Sequence, residues 1–172
     1  MAYVVLTENE ATAGEQTREA LDRIKAALDA NAAILKAGNR AVVPDTIRVG
    51  AQGSIGQFPA IQIEPVEVRE VPATLGGDGV NTLEMTFRLY AYEVALGQVR
   101  ELTRNLTQLS DRIQTVLRRN PTLDGFCRDV RIGRIVLGRL RGGPRTSNPV
   151  FAPHPVLVTM IEATVVTEIA RT

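Results

Sequence analysis

The sequence predicts an α+β domain: a mostly antiparallel sheet of four to five strands with two helices packed on one face, in the order α-β-β-β-α-β-β. Three observations carry that expectation. Residues 82–94 alternate apolar and polar side chains with the period of a half-buried strand. Residues 98–119 set Val99, Leu102, Leu106, Leu109, Ile113 and Val116 at steps of three and four, which is one narrow helical face. A length of 172 residues with 44% hydrophobic content suffices for one buried core, so residues 1–172 are expected to form a single domain.

Residues 1–12 precede any periodic stripe and read as an N-terminal arm. The first helix is expected over 13–37, with Leu21, Ile24, Leu28, Ile34 and Leu35 facing the core and Gly38 at the C′ position. From 39 to 57 the pattern fails. Pro44, Gly50, Gly53 and Gly56 punctuate a long loop in which only residues 46–49 read as extended. Residues 58–64 read as a strand with Ile61 and Ile63 on one face, continued past Pro65 by Val66, Val68 and Val71. The prolines confine this segment to a sheet edge or a strand end. Residues 75–81 form a Gly-rich turn, so the strand before it and the strand 82–94 after it read as a hairpin. In the second strand Leu83, Met85, Phe87, Leu89 and Ala91 point inward.

The second helix ends at Asn120-Pro121. Residues 128–140 are extended, with Gly133 and Gly138 placed as at bulges. Residues 141–155 are a second long loop. Both long loops are expected to add little to the core and to order against a partner, with Phe58 and Phe151 as anchors. The last strand, about 156–169, buries Leu157, Ile161, Ala163, Val165 and Ile169. Its other face (Val156, Val158, Met160, Val166) is apolar too, and another subunit could supply the second cover.

No stretch approaches the roughly 18 apolar residues that span a bilayer. The opening residues lack the basic region of a secretory signal, and the single cysteine, Cys127, suits a reducing compartment, so folding in a cytoplasm is expected. Chemistry-bearing patterns are sparse. His154 stands alone between two prolines and reads as a turn residue, while Cys127 beside Phe126 reads as a small core residue. Glu67, Glu70, Asp124 and Asp129 read as solvated or interfacial charges. The Gly-rich stretches 50–56 and 76–79 lack the lysine or the following helix of a phosphate loop. No catalytic, metal or cofactor site is expected, and the chain is read as a non-enzyme.

The net charge of +1 hides a segregation. Residues 1–93 carry 8 Lys/Arg against 13 Asp/Glu, whereas residues 118–145 carry 8 Arg against 2 Asp. Arg128, Arg131, Arg134, Arg139, Arg141 and Arg145 are therefore candidates for a subunit interface or for a surface facing a lumen. Nucleic-acid binding by segment 118–145 and an ordinary solvated face are the alternatives. Few aromatics interleave these arginines as stacking platforms.

The run Phe58-Pro-Ala-Ile-Gln-Ile, the strand Thr86-Phe-Arg-Leu-Tyr-Ala-Tyr92, the helix stretch Leu109-Ser-Asp-Arg-Ile-Gln-Thr-Val-Leu117 and the following Leu123-Asp-Gly resemble, in that order, the tail terminator (tail completion) proteins of long-tailed bacteriophages. The likeness covers roughly residues 15–140 and the last strand. It implies a structural virion protein that forms a ring, usually of six copies, caps the finished tail tube and presents a surface to the neck. The implied partners are further copies of itself, the tail tube protein, a neck or head-tail connector protein and DNA passing through the lumen, with no membrane. The implied location is the tail or neck of the virion. A neck or head-tail joining protein of the same particle would look much alike, and the two long loops exceed what compact members carry.

Overall fold

The computed structural model describes residues 12–50, 54–72, 80–139, 145–151 and 153–170. Residues 1–11 of the arm expected over 1–12, residues 75–79 of the turn expected over 75–81, and residues 140–144 lie outside them. The described elements follow in chain order: α1 (Ala13–Ala30), β1 (Lys36–Ala37), β2 (Arg40–Ala41), β3 (Ile47–Val49), β4 (Ser54–Ile55), β5 (Ala60–Pro72), β6 (Val80–Val94), α2 (Val99–Arg119), β7 (Asp129–Arg139), β8 (Arg145–Thr146) and β9 (Val156–Ala170). Five of these strands make one sheet in the order β3-β5-β6-β9-β7. Apart from the parallel β3–β5 pair, its neighbours run antiparallel. This is the expected α+β fold with the expected order of its larger elements.

Each long element follows from its pattern. In β6, Leu83, Met85, Phe87, Leu89 and Ala91 are buried on the face that the helices cover. Directly opposite them in β9 stand Val165, Ala163 and Ile161, so two central strands offer one continuous apolar sheet. Helix α2 lays Leu109, Ile113 and Val116 on that sheet, while Leu102 and Leu106 pack with Ala95 and Leu157 at its upper end. Helix α1 packs beside it over β3 and β5 through Leu21, Ile24 and Leu28.

Helix α1 starts where Thr12 accepts a hydrogen bond from the Glu15 N–H (3.2 Å) and Glu15 accepts one from the Thr12 N–H (2.7 Å). This reciprocal box satisfies two donors that the first turn cannot pair internally. The helix ends seven residues earlier than its composition predicts. Asn31 closes it, with its side-chain amide donating to the Ala27 carbonyl at 2.8 Å, and a short 3-10 turn over Ala32–Ile34 follows. That turn exposes Ile34 and swings Leu35 into the core. Gly38 is therefore not a helix cap. It holds the first central position of the two-residue turn joining β1 to β2, at φ +61, and a Cβ there would press on the Asn105 side chain at 3.0 Å.

The stretch 39–57 is also more structured than a loop. Val42, Thr46, Ile47 and Ile55 are buried, and β3 joins the main sheet against residues 61–63 of β5. Beyond β3 no other strand among the described residues covers the outer side of β5, and its register with β6 shifts between Pro65 and Glu67. The prolines thus lie where the strand becomes an edge. Of the two glycines expected at bulges in β7, Gly133 sits in one, because the register shifts between Ile132 and Ile135. Gly138 stays in register opposite Val158.

Candidate functional site

The sheet has one face under the helices and one open face, and the arginine segment is divided between these layers. Arg118 and Arg119 end α2 on the helical side. Arg131 lies in β7 opposite Thr164, on the open face, 59% exposed. Its guanidinium lies 3.2 Å from Asp129 and 3.6 Å from Glu84, two strands away. Arg134 shares the bulge with Gly133 opposite the single residue Glu162. Arg128 is exposed just before β7, where its backbone N–H donates to the Val166 carbonyl at 2.8 Å. Arg139 ends β7 and Arg145 opens β8, their side chains lying outside the described set, as does the whole of Arg141. A run of charge along the chain has become several separate sites, because strand alternation and the α2–β7 connection send successive arginines to different faces.

Phe58 and Phe151 anchor the chain to itself. Their rings meet edge to face with centroids 5.5 Å apart. With Ile55, Ala60, Tyr92, Val94 and Val158 they form a second small core on the open face. The parallel β4–β8 pair and the bond from the Ser147 N–H to the Ile55 carbonyl (3.0 Å) fasten the two segments together. Val158, which the sequence left for another subunit to cover, is thus buried by the protein's own 54–58 and 151 contacts. Truncating Phe151→Ala is expected to cost about 1–2 kcal/mol, since the ring is only half-buried. Hydrogen exchange should accelerate in residues 145–151 while α2 keeps its protection.

Two concavities accompany this arrangement. One, of about 220 Å³, lies at the sheet end between Asp45, Arg48, Gln57, Gln62 and Tyr92. Its floor is already bonded internally: the Gln62 amide donates to the Gly50 carbonyl and to Glu64, and the Tyr92 hydroxyl donates to Gln62. Burial, reinforced by the Glu64 charge, pushes the Tyr92 phenol up to about 12, so it does not exchange protons near neutrality. The other, of about 440 Å³, runs between the β1–β2 turn and the start of α2.

Arg40, on the wall of that second groove, holds the buried carboxylate of Glu93 at 2.6 Å. Glu93 is fully buried, its Oε1 accepts from the Val94 N–H, and its Oε2 has no partner. Burial pushes this carboxyl up to about 7, against the downward pull of Arg40 and the backbone bond. Sequence reading passed over Glu93. The available signal was parity, for Glu93 continues the inward series 83, 85, 87, 89 and 91 and places a charge where an apolar residue is expected.

The titratable residues that the sequence singles out do not gather into one site among the described residues. Glu67 and Glu70 are exposed on β5, and Asp129 accepts from Arg131. The His154 N–H closes a turn onto the Phe151 carbonyl, and burial raises the Cys127 thiol. Among the described residues no three His, Cys, Asp or Glu gather as a metal site, and no helix is long and apolar enough to cross a membrane.

Among the described residues the exposed large apolar side chains mark two unlike sheet edges, besides Ile34, Val49, Leu96 and Val150 elsewhere. The free half of β5 exposes Val66 and Val68, and β7 exposes Ile135 and Leu137 on the opposite side of the molecule. No protein-family model matches the chain, and no curated protein does.

Proposed function

We propose that this chain is a non-catalytic structural protein that assembles head to tail into a closed ring, and that the ring terminates a bacteriophage tail tube. One observation carries the reading: apolar side chains are exposed on two different edges of one sheet, Val66 and Val68 at one end and Ile135 and Leu137 at the other. Two unlike edges favour a heterologous contact, in which the same interface repeats from copy to copy until the ring closes. The resemblance in element order to tail terminators supplies the particle and the number, six copies between the tail tube and the neck, with DNA passing through the lumen. Segregated charge supports the same reading, because an acidic edge on one copy attracts a basic edge on the next.

The nucleic-acid reading of segment 118–145 loses support from the division of its arginines between faces and from the acidic neighbours of Arg131. The test is addition of the purified protein to tail tubes that lack a terminator. The expected result is capped tubes that stop growing and become competent to join heads. Tubes that keep lengthening in its presence contradict the terminator role. Protein that binds heads and ignores tubes places it instead in the neck.

A further inference from the structure

We propose that the subunit contact is a continuation of the sheet itself: residues 128–131, at the start of β7 in one copy, pair antiparallel with residues 67–70 of β5 in the next, each beside the one that shares its row. The ladder stops at the Gly133 bulge, because the rows of residues 135–137 lead to residues 61–63, where β3 already pairs. The inference rests on the ring reading above and adds the surface and the register to it.

The register follows from the protomer. Strand directions alternate from β5 through β6 and β9 to β7, so β7 runs opposite to β5. A copy displaced sideways therefore brings its β7 to the free edge of β5 in the antiparallel sense, the more stable of the two ladders. Rows can be read across the sheet. Glu67 stands opposite Thr86, Thr86 opposite Thr164, and Thr164 opposite Arg131. In the same way Arg69, Glu84, Val166 and Asp129 form one row, and Val68, Met85, Val165 and Val130 another. Continuing these rows into the next copy sets Glu67 beside the partner's Arg131 and Arg69 beside the partner's Asp129. One residue further on, Glu70 comes beside the partner's Arg128.

All three juxtapositions are of opposite charge, including the one in which the signs are reversed. Glu67 and Arg69 share the open face, and Glu70 lies on the helical side, so both faces of the junction are matched. Between the charged positions Val68 meets Val130, and the exposed Val68 of one copy thereby extends the apolar face of the other, while Val66 is the extra residue where the β5 register shifts. Pro65 and Pro72 have no N–H to give to a ladder, and they bracket the residues that form it.

Charges, prolines and bulges on an edge strand also serve to keep other strands away. A guard of that kind needs no particular order of signs, whereas here three positions match in a single register.

The test uses the full chain in a Cys127→Ala background with Glu70→Cys and Arg128→Cys, oxidised under assembling conditions. The expected product is a ladder of covalent oligomers, and a mixture of the two single-cysteine variants should stop at dimers. As a second arm, Glu70→Arg or Arg128→Glu alone should reduce the assembled fraction at least tenfold. The double reversal in one chain should restore it, with melting unchanged throughout because both sites are exposed. Rings that form without the cross-link, or that ignore the single reversals, overturn this interface and leave the ring reading standing. A chain that stays monomeric in every form overturns both.

Discussion

Replacing Arg40 with Met is expected to destabilise the protein by about 3 kcal/mol at pH 8, and by much less at pH 5. Removing one member of a buried pair leaves its partner as an uncompensated charge, which costs roughly 3–5 kcal/mol. The low end applies because Arg40 keeps about a third of its side chain in water, whereas Glu93 has none there. Methionine retains most of the aliphatic stem, so lost packing is a small part of the effect. The pH dependence follows from Glu93, whose carboxyl is raised from 4.5 to about 7 by burial. Below about pH 4.5 both the folded and unfolded states hold the proton, and the folded state carries no penalty from this group. Between 4.5 and 7 only the folded state holds it, so each unit of rising pH removes about 1.4 kcal/mol of stability. Above 7 the loss is complete and stays constant. Without Arg40 the upper limit of that window moves higher, and acid rescues the variant. Urea unfolding of wild type, Arg40→Met and Glu93→Gln at pH 5, 6, 7 and 8 checks this. Glu93→Gln should lose this part of the slope between 5 and 7. An Arg40→Met penalty that is the same at pH 5 and 8 would contradict the account.

Phe87→Ala is expected to cost 3–5 kcal/mol, a large part of the stability of an ordinary domain, roughly 5–15 kcal/mol. Among the described residues Phe87 is the largest fully buried side chain, at the middle of the central strand β6, between Pro65 of β5 and Ala163 of β9. The neighbours that would have to fill the space are themselves held in paired strands, so little of the cavity can collapse. Denaturant midpoint should fall with an unchanged slope. Val66→Ala, at an exposed position, serves as the control and should move the midpoint little in the isolated protomer.

The parts of the fold that could be read from the chain are those long enough to show a period. β6, α2, β9 and the β5–β6 hairpin each bury alternate or three-four-spaced residues over more than ten positions, and their patterns are hard to mistake. The end of α1 was misread because residues 30–35 keep a helical composition. What stops the helix there is a side-chain bond from Asn31 and the pull of Leu35 into the core. Strands β1, β2 and β4 hold two residues each and have no period to read, while β3 showed only as the short extended piece at 46–49. β3 and β4 are defined by partners elsewhere, β5 for one and the distant 145–146 segment for the other. The anchoring role of Phe58 and Phe151 was legible, but its object was not, since only the fold brings them within reach of each other. The candidate interface was half legible: clustering of arginine pointed to 118–145, yet which arginines share a face depends on a bulge and on row register.

The central claim is that this protein is a ring-forming assembly unit, and native mass spectrometry of the purified chain over a range of concentrations tests it most directly. The account predicts one closed oligomer, of six copies, without larger open chains. A protein that remains monomeric at the highest concentrations, or that grows into a continuous distribution of lengths, would contradict it.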